Sequence, residues 1–319
     1  MKRIGILSSG GDAPGMNACI RAAVRTALHN QLQVYGIYNG YDGMIKGDIQ
    51  QLDYKSVANI IQRGGTILRT SRSEQFKTES GRTAAYEQLK RQGIDGLITI
   101  GGDGTFTGAE IFSREFDIPV IGAPGTIDND LFGTDYTIGF DTAVNTALDA
   151  IDRIRDTAES HGRTFFVEVM GRDTGFIAVN SGIAGGAELV VIPETETNMA
   201  EIDKIISNRK RSFSIFVVAE GDEAGGAFAL DKKIKTKYPD FQSRVTILGH
   251  IQRGGKPTAF DRLNASLMGA GAVEALLAGE RNKMVGVISG DVKLTSFADA
   301  IGKRKEINPL YLHLAEVLS

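Results

Sequence analysis

The sequence predicts an α/β protein, and three observations carry that prediction. Short β-branched or apolar runs recur at 3–7, 34–38, 96–100, 118–122, 164–169, 188–192, 213–218, 245–248 and 284–288, each with the composition of a buried strand. Helical patterns lie between them, at Met16 to His29, Thr83 to Gln92, Thr142 to His161 and Asn264 to Leu277, which is the alternation of parallel βαβ units. Several runs end directly in clusters of Gly, Asp or Arg, and open parallel sheets bind ligands beyond the carboxyl ends of their strands.

Composition narrows the function classes. The 319 residues suffice for two medium domains or one large one, and 36 Lys+Arg against 39 Asp+Glu leave a net charge of −3, so no overall field points to nucleic acid or a membrane surface. The 39 glycines are about 12% of the chain against an average near ~7%, while proline stays at seven, so glycine is concentrated in motifs and not in linkers. Cys19 is the single cysteine and cannot form an internal disulfide. The chain runs straight into Lys2-Arg3-Ile4-Gly5 with no secretory apolar region, and no apolar run reaches the ~18 residues of a membrane helix; the expectation is a cytoplasmic protein. There is no internal repeat, low-complexity segment or charged tail.

The strand ends carry the chemistry. After the first strand, Gly10-Gly11-Asp12-Ala13-Pro14-Gly15 leads into a helix whose first amides would face a phosphate. It fits neither G-x-G-x-x-G nor G-x-x-x-x-G-K-[ST], and alone it also reads as a tight strand–helix turn. After the 96–100 strand, Gly101-Gly102-Asp103-Gly104-Thr105 sets a carboxylate among amides that can approach phosphates, enough for Mg²⁺ shared with a substrate; an Asp-Gly turn is the plain alternative. Pro124-Gly125-Thr126-Ile127-Asp128-Asn129-Asp130 then places two carboxylates two residues apart, one suited to a base and one to a metal. A calcium loop counted from Asp128 fails, because Phe132 and Gly139 fall where ligands are required. An Asx-rich turn remains the alternative for this cluster taken alone.

Arg72, Arg163, Arg172, Arg244 and Arg253 lie near strand ends without an obvious i, i+4 carboxylate, so they serve either as solvated surface or, together, as bidentate phosphate clamps. His250 sits between Gly249 and Arg253, and four histidines give no metal cluster. Cys19, inside an apolar helical pattern, reads as a packed thiol.

Seven motifs in order now become recognisable: Gly-Gly-Asp-Ala-Pro-Gly-Met-Asn (10–17), Gly-Gly-Thr (64–66), Gly-Gly-Asp-Gly (101–104), Pro-Gly-Thr-Ile-Asp-Asn-Asp (124–130), Met-Gly-Arg (170–172), Val-Ala-Glu-Gly (218–221) and Leu-Gly-His-Ile-Gln-Arg-Gly-Gly (248–255). Through them the chain resembles the bacterial ATP-dependent 6-phosphofructokinase family over essentially its whole length. Gly-Gly-Asp-Gly alone is weak, since NAD kinases and lipid kinases look similar there; the Pro-Gly-Thr-Ile-Asp-Asn-Asp and His-x-x-Arg-Gly-Gly segments are specific.

The resemblance implies two Rossmann-like three-layer α/β domains with mainly parallel sheets and a cleft between them: 1–138 plus 252–304 for ATP, and 139–251 plus 305–319 for fructose 6-phosphate. It implies phosphorylation of the sugar 1-hydroxyl, the committed step of glycolysis, with Asp128 as base and Mg²⁺ held by Asp103 with Asp130. Arg72, Arg172 and Thr126 would serve the transferring group, and Gly11, Arg72, Ser73, Gly102, Asp103, Gly104 and Thr105 would bind ATP. The sugar phosphate would meet Thr126, Asp128, Met170, Gly171, Arg172, Glu220, His250 and Arg253, joined by Arg163 and Arg244 from a neighbouring subunit of a homotetramer.

An effector site for ADP or phosphoenolpyruvate is implied around Arg21, Arg25, Arg155, Glu188, Arg209 and Arg211. Here the chain departs from the pattern: Tyr54 and Asn59 stand where relatives often carry Arg and Asp, and the segment before Arg209 is about three residues shorter, with Ser212 and Phe213 where relatives often have Lys and His. Weakened allosteric control is therefore expected. Two rivals share the fold, a pyrophosphate-dependent phosphofructokinase and a catalytically dead nucleotide sensor. The first typically has Asp and Lys where this chain has Gly104 and Gly125, and the second would lose one of Asp103, Asp128 and Asp130.

Overall fold

The computed structural model describes residues 1–207, 213–223 and 225–318. The α/β class expected from the sequence is the one found, and the chain divides into two compact units. The first holds Met1–Ile127, Leu131–Thr142 and Arg253–Lys305; the second holds Asp128–Asp130, Ala143–Gln252 and Glu306–Ser319.

In the first unit a seven-stranded sheet is built from β1 (Arg3–Ser8), β2 (Gln33–Ile37), β3 (Ile49–Leu52), β4 (Gly96–Gly101), β5 (Val120–Pro124), β10 (Lys283–Ile288) and β11 (Asp291–Ser296). Its order is β11-β10-β5-β4-β1-β2-β3, with the five inner strands parallel and both edges antiparallel. β1, β4 and β5, at the centre, are buried along nearly their whole length, as strands covered on both faces are. Helices α1 (Met16–His29) and α9 (Ala259–Leu277) pack together, and the cluster of Leu7, Tyr41, Phe76, Phe106, Phe112 and Phe297 forms around α4 (Asp103–Phe116). Tyr41 stacks on Phe76 at 3.9 Å between ring centroids.

The second unit has a four-stranded, all-parallel sheet of order β7-β8-β6-β9, from β6 (Thr164–Val169), β7 (Leu189–Val191), β8 (Ser214–Ala219) and β9 (Ser243–Ile247). Its core gathers Phe166, Ile202, Phe216, Val218, Leu230 and Ile234. The 22-residue helix α5 (Phe140–His161) starts in the first unit and continues in the second. Among the described residues no helix is long and apolar enough to cross a membrane.

Two edge strands escape the sequence pattern for a physical reason. β11 is exposed over its first four residues, so no apolar run marks it. The two-residue turn Ser289-Gly290, with φ of 52° and 86°, closes it onto β10 as a tight hairpin. β3 is four residues long with two exposed glutamines, Gln50 and Gln51.

Candidate active site

The carboxyl ends of β1, β4 and β5 lie side by side, and three loops continue from them. Ser9 N–H donates to the Ile100 carbonyl at 3.0 Å, and the Thr105 hydroxyl donates to the Ser9 carbonyl at 3.0 Å. The Thr70 hydroxyl donates to the Gly10 carbonyl at 2.8 Å, and Gly10 N–H reaches the Ser71 carbonyl at 3.4 Å. These bonds bring Gly11, Arg72, Ser73, Gly102, Asp103, Gly104 and Thr105 around one set of strand ends. Thr126 joins them, with its Cβ 3.7 Å from where a Cβ on Gly102 would stand.

Both helices that leave these loops begin without a side-chain cap: Gly15 precedes α1 and Gly102 precedes α4. Amides of an uncapped first turn, with the positive end of the helix dipole, suit a phosphate. Ser73 is partly committed, since its hydroxyl donates to Asp42 Oδ1 at 2.7 Å; Arg72 is exposed.

Asp103 is exposed on the first turn of α4, where its Oδ1 accepts Gly104 N–H at 2.6 Å. Among the described residues no group of three His, Cys, Asp or Glu is placed to hold a metal by itself. The donor set, a hard carboxylate at an uncapped helix start, fits Mg²⁺ carried largely by substrate phosphates.

The two informative glycines differ. A Cβ on Gly104 would meet nothing within 4 Å, so its face is open. A Cβ on Gly125 would stand 2.8 Å from Met16 Cε and 2.9 Å from Ile100 Cγ2. A side chain at Gly125 would have to displace Met16 and Ile100, so packing under the loop favours glycine there. Arg253 also has an unexpected neighbour: its guanidinium lies over Gly11, where a Cβ would be 2.5 Å from Nη1, and Nη1 donates to the Asp12 carbonyl at 3.4 Å.

In the second unit the ends of β6 and β8 build another cluster. Glu220 Oε1 accepts Arg172 N–H at 2.9 Å, and the Thr174 hydroxyl lies within 2.9 Å of the Gly171 carbonyl and 3.2 Å of the Asp128 carbonyl. Gly171 at φ 151° and Arg172 at φ 55° turn the chain sharply there and leave the Arg172 side chain exposed. Asp128 is buried, at 7% exposure. Asp130 lies two residues on and is partly exposed. Met170 N–H donates to Gln252 Oε1 at 2.9 Å, so the fully buried Gln252 ties the Met170 loop to the segment of His250. Sequence reasoning missed Gln252; its place between His250 and Arg253 was the available signal.

Arg163 and Arg244 are elsewhere in this unit. Arg163 precedes β6 and Arg244 is the second residue of β9, so both stand at the amino ends of parallel strands whose carboxyl ends carry Met170, Glu220 and His250. The two ends of β6 are about 20 Å apart, and Arg244, which pairs with Phe165, lies about 13 Å from the end that carries Met170.

Of the implied effector residues, Arg155 and Glu188 approach to 4.0 Å. Arg155 also donates to the Gly185 carbonyl and, at 2.8 Å, to that of Gly186. Arg21 and Arg25 lie one turn apart on α1, and the Arg25 guanidinium sits 5.7 Å from the ring centre of Tyr54. Arg209, Arg211 and Ser212 lie outside the described residues. Burial pushes the Cys19 thiol up to about 12, which leaves it an inert packed group.

Two uncapped helix starts at the carboxyl ends of a parallel sheet, with carboxylates on the loops that follow β4 and β5, are the features expected of a phosphotransferase-type α/β protein. Residues 3–276 match the phosphofructokinase family model, and the chain belongs to that family. It is 57% identical over its full length, and that of its relative, to ATP-dependent 6-phosphofructokinase 1 of Thermus thermophilus. It is 55% identical, covering 100% of this chain and 98% of the relative, to the ATP-dependent 6-phosphofructokinase of Cytophaga hutchinsonii. Among solved structures, phosphofructokinase from Saccharomyces cerevisiae superposes with a TM-score of 0.89 at 34% identity, covering 95% of this chain and 45% of the yeast chain.

Proposed function

We propose that this protein transfers the terminal phosphoryl group of ATP to the 1-hydroxyl of D-fructose 6-phosphate, giving fructose 1,6-bisphosphate and ADP, in the cytoplasm as the committed step of glycolysis. The observation that carries the reading is the convergence of the uncapped α1 and α4 starts, Asp103 and Thr126 at neighbouring strand ends, in a chain more than half identical to enzymes named for ATP. The first unit is the ATP-binding domain and the second the sugar-phosphate domain.

Phosphoryl transfer needs positioning and charge stabilisation more than covalent chemistry. Asp128 takes the proton of the attacking hydroxyl. Gly11, Gly102, Gly104 and Thr105 line the phosphates of ATP, with Arg72 and Ser73 beside them. Arg72, Arg172 and Thr126 stabilise and orient the transferring group. Asp103 with Asp130 would hold Mg²⁺, which when bound offsets phosphate charge. Met170, Gly171 and Glu220 contact the sugar, and His250 and Arg253 its 6-phosphate.

The distance of Arg163 and Arg244 from their own chain's sugar cluster supports their service to a neighbouring subunit in a homotetramer. Arg21, Arg25, Arg155, Glu188, Arg209 and Arg211 form an effector site for ADP or phosphoenolpyruvate with weakened response; the cation–π approach of Arg25 to Tyr54 and the carbonyl bonds of Arg155 support that weakening. A coupled assay with fructose 6-phosphate, run once with ATP and once with pyrophosphate, tests the reading. Turnover with ATP is expected, and faster turnover with pyrophosphate would overturn it.

A further inference from the structure

We propose that Asp261 is a positioning residue of the phosphoryl-transfer site, acting through residues 137–142 on the Pro124–Thr126 loop. The inference rests on the function proposed above. Asp261 is 1% exposed, in the first turn of α9, and its carboxylate is turned onto a different element. Oδ1 accepts Gly139 N–H at 2.9 Å; Oδ2 accepts Thr142 N–H at 2.8 Å and the Thr142 hydroxyl at 2.5 Å. Gly139 precedes the first residue of α5 and has no side chain to cap it, so the cap comes from 122 residues away.

The segment fixed in this way touches both reacting loops. Ile138 N–H donates to the Pro124 carbonyl at 2.8 Å, and the Thr137 hydroxyl donates to the Thr126 carbonyl at 2.6 Å. A Cβ on Gly139 would be 2.7 Å from Ala13 Cβ, and one on Gly15 would be 2.9 Å from Ile138 Cγ2, so the first phosphate loop rests on the same residues. Around the carboxylate the network closes. Thr258 N–H donates to Thr142 Oγ1 at 3.1 Å, the Thr258 hydroxyl donates to Asp141 Oδ2 at 2.6 Å, and Thr258 Oγ1 accepts Asp261 N–H at 3.2 Å. Burial pushes the Asp261 carboxyl up to about 6 against the pull of its three donors. A buried charge is retained here although a neutral cap would suffice to start a helix, which points to a demand on geometry beyond helix formation.

The test is a double-mutant cycle on turnover, using Asp261→Asn and Thr137→Val. Each protein is first checked by circular dichroism, and rates are normalised to folded protein. Asn replaces an acceptor by a donor facing N–H groups; Val removes only the hydroxyl that holds Thr126. Asp261→Asn is expected to lower kcat at least tenfold and Thr137→Val at least threefold, each with the KM for fructose 6-phosphate within twofold of wild type. The double variant should be no slower than about twice the effect of Asp261→Asn alone, because both act through one segment. A purely structural role would lower the melting temperature and leave kcat per folded enzyme unchanged. A kcat within twofold of wild type for either variant, or additive effects, would overturn the proposal; if Asp261→Asn does not fold, Thr137→Val alone decides. Wild-type turnover with pyrophosphate but not ATP would instead defeat the functional reading, and the same ratios measured with that donor would still test the positioning role.

Discussion

Gly104 offers a perturbation whose effects on stability and on function have opposite signs. It is the second residue of α4, exposed, and a Cβ there meets nothing within 4 Å, so Gly104→Asp introduces no clash. Replacing Gly in a helix and adding an acid to its first turn stabilises by about 0.3–1 kcal/mol, partly offset by the neighbouring Asp103. For a bound nucleotide the same carboxylate is repulsive. At about 7 Å and an effective dielectric of about 20, one unit charge costs about 2 kcal/mol. Screening at an exposed site removes roughly half of that, and the several charges of a triphosphate restore it. A loss of about 2 kcal/mol is roughly thirtyfold in affinity. Steady-state kinetics with varied ATP, alongside a thermal melt, measure both quantities. The KM for ATP should rise at least tenfold with no fall in melting temperature. A KM within twofold of wild type would refute the placement of the phosphates at the start of α4.

Asp128→Ser should lower kcat by at least ~10²-fold while fructose 6-phosphate binding, measured by calorimetry, stays within about twofold. Asp261 gives a pH dependence of stability: its folded pKa of about 6 exceeds the ordinary carboxyl value of 3.8, so its contribution is present below that value and lost as pH rises through 6. Two units correspond to about 3 kcal/mol, and urea titrations between pH 4 and 7 should show stability falling in wild type more steeply than in Asp261→Asn. Arg244→Ala and Asp128→Ser are each expected to be inactive alone, and mixed oligomers of the two should recover activity at composite sites; no recovery in demonstrably mixed assemblies would count against shared sites. Fructose 6-phosphate saturation curves should shift only slightly with ADP or phosphoenolpyruvate, and a large shift would show that Tyr54 and Asn59 do not weaken the effector site.

Most of the inner framework was legible because buried parallel strands are continuous apolar runs, as at Ile98 to Ile100 and Val217 to Ala219. Edge strands such as β11 lack that signature, and α6 (Phe176–Ala184) is apolar on nearly every side, which erases helical periodicity. The loops announced their chemistry through residue type, but their ties did not show. Asp261 looked like one acid in a helix, since its partners at Gly139 and Thr142 lie far away in sequence. The packing role of Gly125 was equally hidden, because a glycine needed for close packing looks like any other loop glycine until Met16 and Ile100 are seen against it.

Phosphorus NMR of the protein with ATP, Mg²⁺ and fructose 6-phosphate follows the transferred group itself. Loss of the ATP terminal phosphate resonance is expected in step with the appearance of ADP and of a second phosphomonoester on the sugar. Transfer from ATP to the sugar is contradicted if ATP stays intact while pyrophosphate supports the same product, or if ATP is consumed only to inorganic phosphate.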